Sequence, residues 1–357
     1  MTRTFVMGDP QAPFAKVLDV LDRHGALVGK HLADDVTLVS IGDHFDYDHK
    51  DPATAGREGL ALLRWLADHD RDRVYILFGN HDAARVMELA TIGDDEFAAA
   101  RSLAVDVDAG TRSPADFRAA FPTLPPHGVI GRDYASFSVA QRTLVMEMLL
   151  AGRFRIALVG HLDGREVLVT HAGVTTREIE MLGVAAEPTA IVDALERHFA
   201  AAIDRVRPDW QRGATMPMSL EPLHFAGGAG EEGGGLLYHR PSNPTSGSTF
   251  HATRPRRFDP RTLPRGLAQI AGHSGHAKCI AELGTWVTDA ARARAHGGIR
   301  TLRVLGKGEG EDQVVYDLGV APPDVVAGAA SLVLVDGELR RVPAEEVALL
   351  SLGDVVH

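Results

Sequence analysis

Three apolar runs near the start of the chain, residues 4–7, 36–41 and 73–78, each stop at a glycine followed by Asp or Asn: Gly8-Asp9, Gly42-Asp43 and Gly79-Asn80. A helical pattern follows each run. Phe14, Val17, Leu18 and Leu21 recur at helical spacing before Gly25. Leu60, Leu63, Trp65 and Leu66 give residues 59–68 an apolar side, and residues 83–150 read as mostly helical with breaks at Pro114, Pro122 and Pro125-Pro126. Strand, polar turn and helix repeated in this way predict an α/β fold with a largely parallel sheet covered by helices. In such a sheet the carboxyl ends of the strands meet at one crevice, where ligands bind.

Later segments predict more strands. Residues 156–159 and 167–170 flank Asp163-Gly164, a hairpin signal, and a helix is expected near 190–206. Residues 208–265 are irregular. Their glycine-rich run, 227–235, is expected to be mobile, and 241–264, rich in Pro, Ser, Thr and Arg, reads as a long loop or lid. Strands are expected at 267–271, 301–305, 313–316 and 332–335. A length of 357 residues allows two domains or one enlarged domain, and no internal repeat is visible.

Composition narrows the function. With 37 Lys and Arg against 48 Asp and Glu, the formal net charge is −11, which disfavours a general nucleic-acid or anionic-membrane binder. The single cysteine, Cys279, cannot form an internal disulfide and reads as buried and inert. No apolar stretch approaches the ~18 residues of a membrane span, and the N-terminus has no signal-like apolar region. A cytoplasmic location is the expectation, and the abundance of Ala, Arg and Gly suggests a GC-rich bacterial source.

The strand ends carry chemistry. Besides Gly8-Asp9-Pro10-Gln11, Gly42-Asp43-His44-Phe45-Asp46 and Gly79-Asn80-His81-Asp82, there are Thr170-His171-Ala172-Gly173 and Gly272-His273-Ser274-Gly275-His276. Asp9, Asp43 or Asn80 alone could serve as an ordinary helix cap. Capping, however, does not call for histidine at several strand ends. Oxygen and imidazole donors gathered in one crevice suit Mn, Fe or Zn. The surplus of donors favours two ions, bridged by a carboxylate and able to clamp a phosphoryl group.

The ordered series Asp-x-Gln, Gly-Asp-x-x-Asp, Gly-Asn-His-Asp, Thr-His-Ala-Gly and Gly-His resembles the calcineurin-like metallophosphoesterases. The His171-Ala172-Gly173 form lies nearest the bacterial phosphoprotein-phosphatase and dinucleoside-tetraphosphatase branch. The resemblance implies a two-sheet β-sandwich flanked by helices, with residues 1–357 as one metallophosphoesterase domain. Residues 83–150 would then be a mostly helical insertion, and 175–265 a helix plus a Gly/Pro-rich loop. It implies that Asp9 and Gln11 bind a first divalent metal, that Asp43 bridges both, and that Asn80, His171 and His273 complete the second. His81 would be the general acid, oriented by Asp46. Arg240, in an aromatic-x-Arg-Pro stretch (Tyr238 to Pro241), would grip substrate phosphate.

Three departures from the family pattern shape the expected function. Gln11 stands where the family has histidine. Tyr47-Asp48 follows Asp46 where phosphoprotein phosphatases have Arg-Gly, and His276 makes a His-x-x-His pattern in which it could reach the first metal or the substrate or equally be a bystander on the surface. The expected activity is hydrolysis of a small phosphomonoester or nucleotide by metal-bridged hydroxide. A phosphoprotein phosphatase of the Ser/Thr type ranks second, and a catalytically weak metal-binding scaffold is the reading from a different class. Arg254, Arg256, Arg257, Arg261 and Arg265 could attract a polyanion, but a solvated loop is the stronger reading.

Overall fold

Two sheets dominate the computed structural model, which describes residues 2–294, 296–306, 312–320 and 328–356. Their strands are β1 (Arg3–Met7), β2 (Val36–Ser40), β3 (Val74–Leu77), β4 (Phe154–Arg155), β5 (Ala157–Leu162), β6 (Arg165–Thr170), β7 (Ala268–Ala271), β8 (Arg300–Leu305), β9 (Gln313–Leu318), β10 (Ala330–Leu334), β11 (Leu350–Leu352) and β12 (Val355–Val356). The five-stranded sheet has the order β11-β1-β2-β3-β4, and the seven-stranded sheet β9-β8-β10-β7-β6-β5-β12.

β1 to β3 pair in parallel, as the repeated pattern predicts, and β4, which that pattern does not include, extends the parallel ladder beside β3. The parallel character does not extend to the whole structure. β11 joins β1 antiparallel, and in the second sheet only the pairings of β7 with β10 and β6 are parallel. β2 and β3 are buried along their whole length, which parallel strands covered on both faces require. Val6, Val39 and Leu77 of the first sheet share one buried apolar cluster with Leu158, Val169, Ile270 and Val333 of the second. A larger cluster joins Met7, Leu38 and Ile76 to Val17, Leu21, Leu62 and Leu63 of the helices Phe14–Arg23 and Pro52–Ala67.

Local chemistry starts and stops these elements. Asp51 accepts from Thr54 N at 3.1 Å, with Pro52 at the first helical position of Pro52–Ala67. The hairpin between β5 and β6 turns through Asp163 and Gly164, both at positive φ (51° and 76°), as expected for an Asp-Gly turn. Between β3 and β4, the helices Asp94–Asp108, Pro114–Ala120 and Val139–Leu150 form, and Phe97, Ala104, Phe117 and Phe137 share a cluster of their own.

One expectation for 208–265 is corrected. Within the glycine run, Gly234 and Gly235 pair antiparallel with Phe225 and His224, and a Cβ on Gly235 would lie 2.3 Å from Leu223 O. The run is built in, because only glycine lets the two backbones approach so closely. The arginines, for their part, are paired and so do not stand free to attract a polyanion. Arg254 pairs with Glu231, Arg256 with Glu232, Arg257 with Glu282, Arg261 with Asp259 and Arg265 with Asp312. Among the described residues, no helix is long and apolar enough to cross a membrane.

Candidate metal centre

The strand ends converge because glycine precedes the polar residue at several of them. A Cβ on Gly79 would meet Asp43 Oδ1 at 2.3 Å, and one on Gly272 would meet Asp9 Oδ1 at 2.2 Å. At both positions the requirement is close approach and not a tight turn, since neither glycine has a positive φ. Three of the polar residues are themselves left-handed: Asp43 (φ 58°), Asp46 (φ 66°) and His273 (φ 56°). Such backbone is costly for residues other than glycine and concentrates at functional sites.

Asp43 sits at the centre. Its Oδ1 accepts from His81 N at 2.8 Å and lies 3.4 Å from His171 Nε2. Asp43, His171 and His273 each offer a ligand atom, and these atoms lie within 4.8 Å of one another. Asp9 is buried and accepts from His273 N at 2.9 and 3.0 Å, which draws β7 toward β1. Gln11 donates through Nε2 to Phe45 O at 2.9 Å, leaving its carbonyl oxygen as the free donor atom on the cavity wall.

The donor set fits cations. His171 Nδ1 lies 2.7 Å from Ile41 O, a carbonyl that can only accept, so the proton of the neutral ring sits on Nδ1. His171 Nε2 then presents a lone pair 3.1 Å from Asn80 Oδ1 and 3.4 Å from Asp43 Oδ1. Unshared lone pairs at that spacing repel unless positive charge lies between them. His273 Nε2 is likewise shielded from solvent and has no hydrogen-bond partner. Burial, with the charges of Asp336 and Asp43, pushes the Asp9 carboxyl well above the ordinary range. Carboxylate, amide and imidazole groups arranged in this way suit divalent ions of intermediate hardness.

His81 belongs to a different network. Its Nδ1 meets Asp46 Oδ2 at 2.9 Å, and its Nε2 lies 3.9 Å from Asp43 Oδ2. Asp46 is held on all sides: Arg85 Nη1 at 2.7 Å, Ser136 N at 2.9 Å and Ser136 Oγ at 2.6 Å. Burial pushes the Asp46 carboxyl up, but Arg85 and His81 outweigh it and hold it well below the ordinary range. Burial disfavours the His81 cation, yet Asp43 and Asp46 together raise the ring above the usual histidine value.

Several of these partners were not legible in the sequence. Arg85 is fully buried, stacks on Phe45 at 4.6 Å, and donates to Gln141 Oε1 at 3.2 Å and His81 O at 2.8 Å. Asp82, the last residue of the Gly-Asn-His-Asp motif, accepts from Asp43 N and Gly79 N and pairs with His44 at 3.0 Å. His44 therefore supports the Asp43 turn. Replacing Arg85 by Met leaves the Asp46 charge buried with its main counter-ion gone. The expected stability loss is about 3–5 kcal/mol. Denaturant unfolding checks it: an unchanged midpoint would show that Arg85 holds nothing.

Of the ten residues singled out from the sequence, Asp9, Gln11, Asp43, Asp46, His81, Arg240 and His273 line one cavity of about 500 Å³, and Asn80 and His171 lie directly behind Asp43. His276 does not join them. Its Nδ1 pairs with Tyr316 Oη at 2.9 Å, and its Nε2 faces the carbonyls of Ala291 and Arg294 at 2.9 and 2.7 Å. It opens the helix His276–Leu283 with its ring turned to the opposite side. Cys279 is buried, and burial pushes its thiol up to about 12, consistent with an inert packing role. Lys278 and Asp336 also line the cavity and carry no motif that would have flagged them.

Fold and site together define a candidate centre for metal-dependent chemistry. The family model for calcineurin-like phosphoesterases matches residues 2–198, and the chain belongs to that family. No curated protein matches the chain. The matched segment contains Asp9, Asp43, Asn80, His81 and His171, whereas Arg240, His273, Lys278 and Asp336 lie beyond it.

Proposed function

We propose that the chain is a dinuclear metal-dependent phosphoesterase acting on a small phosphomonoester or a nucleotide. Its branch is that of the bacterial phosphoprotein phosphatases and dinucleoside tetraphosphatases. On this reading residues 1–357 form one domain with the two-sheet sandwich of the family, carry insertions at 83–150 and 175–265, and work in the cytoplasm. The observation that carries the proposal is the convergence of Asp43, His171 and His273, whose ligand atoms lie within 4.8 Å of one another, in a chain of the calcineurin-like phosphoesterase family.

Asp9, Gln11 and Asp43 would hold one divalent cation, and Asp43, Asn80, His171 and His273 the other. Bound there, Mn, Fe or Zn supplies Lewis acidity at a phosphoryl oxygen and acidifies water at neutral pH. The chain's own groups do the rest. Arg240 lines the same cavity as Asp43 and binds the phosphate oxygens through its guanidinium fork. His81, with Nδ1 held by Asp46, turns Nε2 into the cavity and delivers a proton to the leaving oxygen. Asp46 keeps the ring oriented, and Arg85 and Ser136 keep Asp46 in place.

Purified protein is expected to carry about two metal equivalents, counted by mass spectrometry, and to hydrolyse p-nitrophenyl phosphate with Mn. Dialysis against a chelator should remove activity, and Mn should restore it. Zero metal with no turnover would instead support the scaffold reading. Turnover of a phosphopeptide in preference to small esters would favour the phosphoprotein reading, which the absence of Arg-Gly after Asp46 argues against.

A further inference from the structure

Arg132, Arg240, Lys278, Arg340 and Arg341 line the cavity, and of these Arg132 and Arg340 spend donors on the carbonyls of Gly128 and Tyr47. Arg256, close by, is committed to Glu232, and Arg341 to Glu338. Among the described residues the Arg240 and Lys278 side chains form no ion pair, and the Arg240 Nε is shielded from solvent without a hydrogen-bond partner. Asp133 and Asp336 are the carboxylates whose fields reach Lys278, and Asp133 also reaches Arg240, but neither closes on them as a pair.

The elements that carry the two cations pack against each other. Arg240 lies in a short parallel ladder, Arg240–Pro241 with Arg257–Phe258. Lys278 lies on the helix His276–Leu283, one turn before Glu282. Glu282 staples helix and ladder together. Its carboxylate takes Arg257 at 2.8 to 3.0 Å, Ser242 Oγ at 2.7 Å and Ser248 Oγ at 2.7 Å, while its carbonyl takes Asn243 N at 2.9 Å. The field of Arg240, and then burial, lowers the Lys278 ammonium to about 8, so the two charges are felt across the cavity wall. Like charges fixed together in the free protein are preorganised for an anion that spans them.

We propose that Lys278, on the side of Arg240 away from the candidate metal centre's phosphate, marks a second phosphate subsite next to the one Arg240 serves, and that the substrate carries two phosphate groups close together, one at the candidate metal centre and the next against Lys278. This rests on the phosphoesterase reading for the first group. The cavity of about 500 Å³ leaves room for the remainder of such a molecule.

The test measures binding of orthophosphate and pyrophosphate to the Mn-loaded protein by calorimetry, with the Lys278 variants separating subsite binding from chelation of the metal, and inhibition of p-nitrophenyl phosphate hydrolysis by both. Pyrophosphate is expected to bind at least about tenfold more tightly than orthophosphate, the scale of one charge-assisted contact. Lys278→Ala should shrink that ratio about tenfold, Lys278→Arg should keep it, and Arg261→Ala, at an exposed arginine paired with Asp259, should leave it unmoved. Equal binding of orthophosphate and pyrophosphate by the wild type, or equal weakening of both by Lys278→Ala, would overturn it. Pyrophosphate preference without any ester hydrolysis would sink the phosphoesterase reading and leave the subsite standing, whereas hydrolysis without that preference would do the reverse.

Discussion

Asp43→Asn is expected to lower kcat/KM on p-nitrophenyl phosphate by roughly a thousandfold or more, because losing even an outer partner of a metal ligand costs roughly 10–100-fold. The substitution is nearly isosteric. The Asn oxygen can still accept from His81 N, now at 2.8 Å, and Asn tolerates the left-handed backbone at φ 58°. Asp82 still receives the backbone N–H of position 43, at 3.0 Å in the parent. What disappears is the negative charge that would be shared between two cations. Metal content should fall well below two equivalents while the circular dichroism and melting temperature stay near those of the parent. Retained metal together with retained turnover would remove Asp43 from the centre of the site.

That experiment bears on the part of the site most legible in the sequence. Asp9, Asp43 and Asn80 follow strands whose apolar runs are continuous, so their position at the carboxyl ends follows from local pattern alone. His171 was readable because the Asp163-Gly164 turn fixes the hairpin before it. The later architecture was less legible. β10 inserts between β7 and β8, and nothing in a run such as residues 332–335 says which strand it will pair with. Asp336 comes to lie by Asp9 only through that pairing.

Side-chain direction was the second blind spot. Spacing placed His276 three residues after His273, but a helix begins at His276 and turns its ring toward Tyr316. Arg85 was invisible for a related reason. It sits inside the helix Asn80–Val86 with no motif of its own, yet four residues beyond His81 it shares a face with that ring and reaches Asp46. The pairing of the arginines of 254–265 was not legible because each one's carboxylate partner is set by packing, and most of those partners are far away in sequence.

His81→Ala tests the chemistry and not the assembly of the site. The backbone N–H that reaches Asp43 survives, and Asp46 keeps Arg85 and Ser136, so metal content and folding should be close to those of the parent. The loss should depend on the leaving group. An alkyl phosphate releases an alkoxide that must be protonated, and kcat is expected to fall by about 10²–10⁴-fold, the usual range for removing a general acid. p-Nitrophenyl phosphate releases a phenolate that departs without a proton, so its turnover should fall far less. The ratio of the two losses is the diagnostic quantity, since a misplaced metal or a damaged fold would slow both substrates alike. Tyr134 packs against the ring, with centroids 5.7 Å apart and the planes nearly perpendicular, and Asp46 holds Nδ1. Equal losses on the two esters would mean that His81 only positions the substrate, and the proton would have to come from another group.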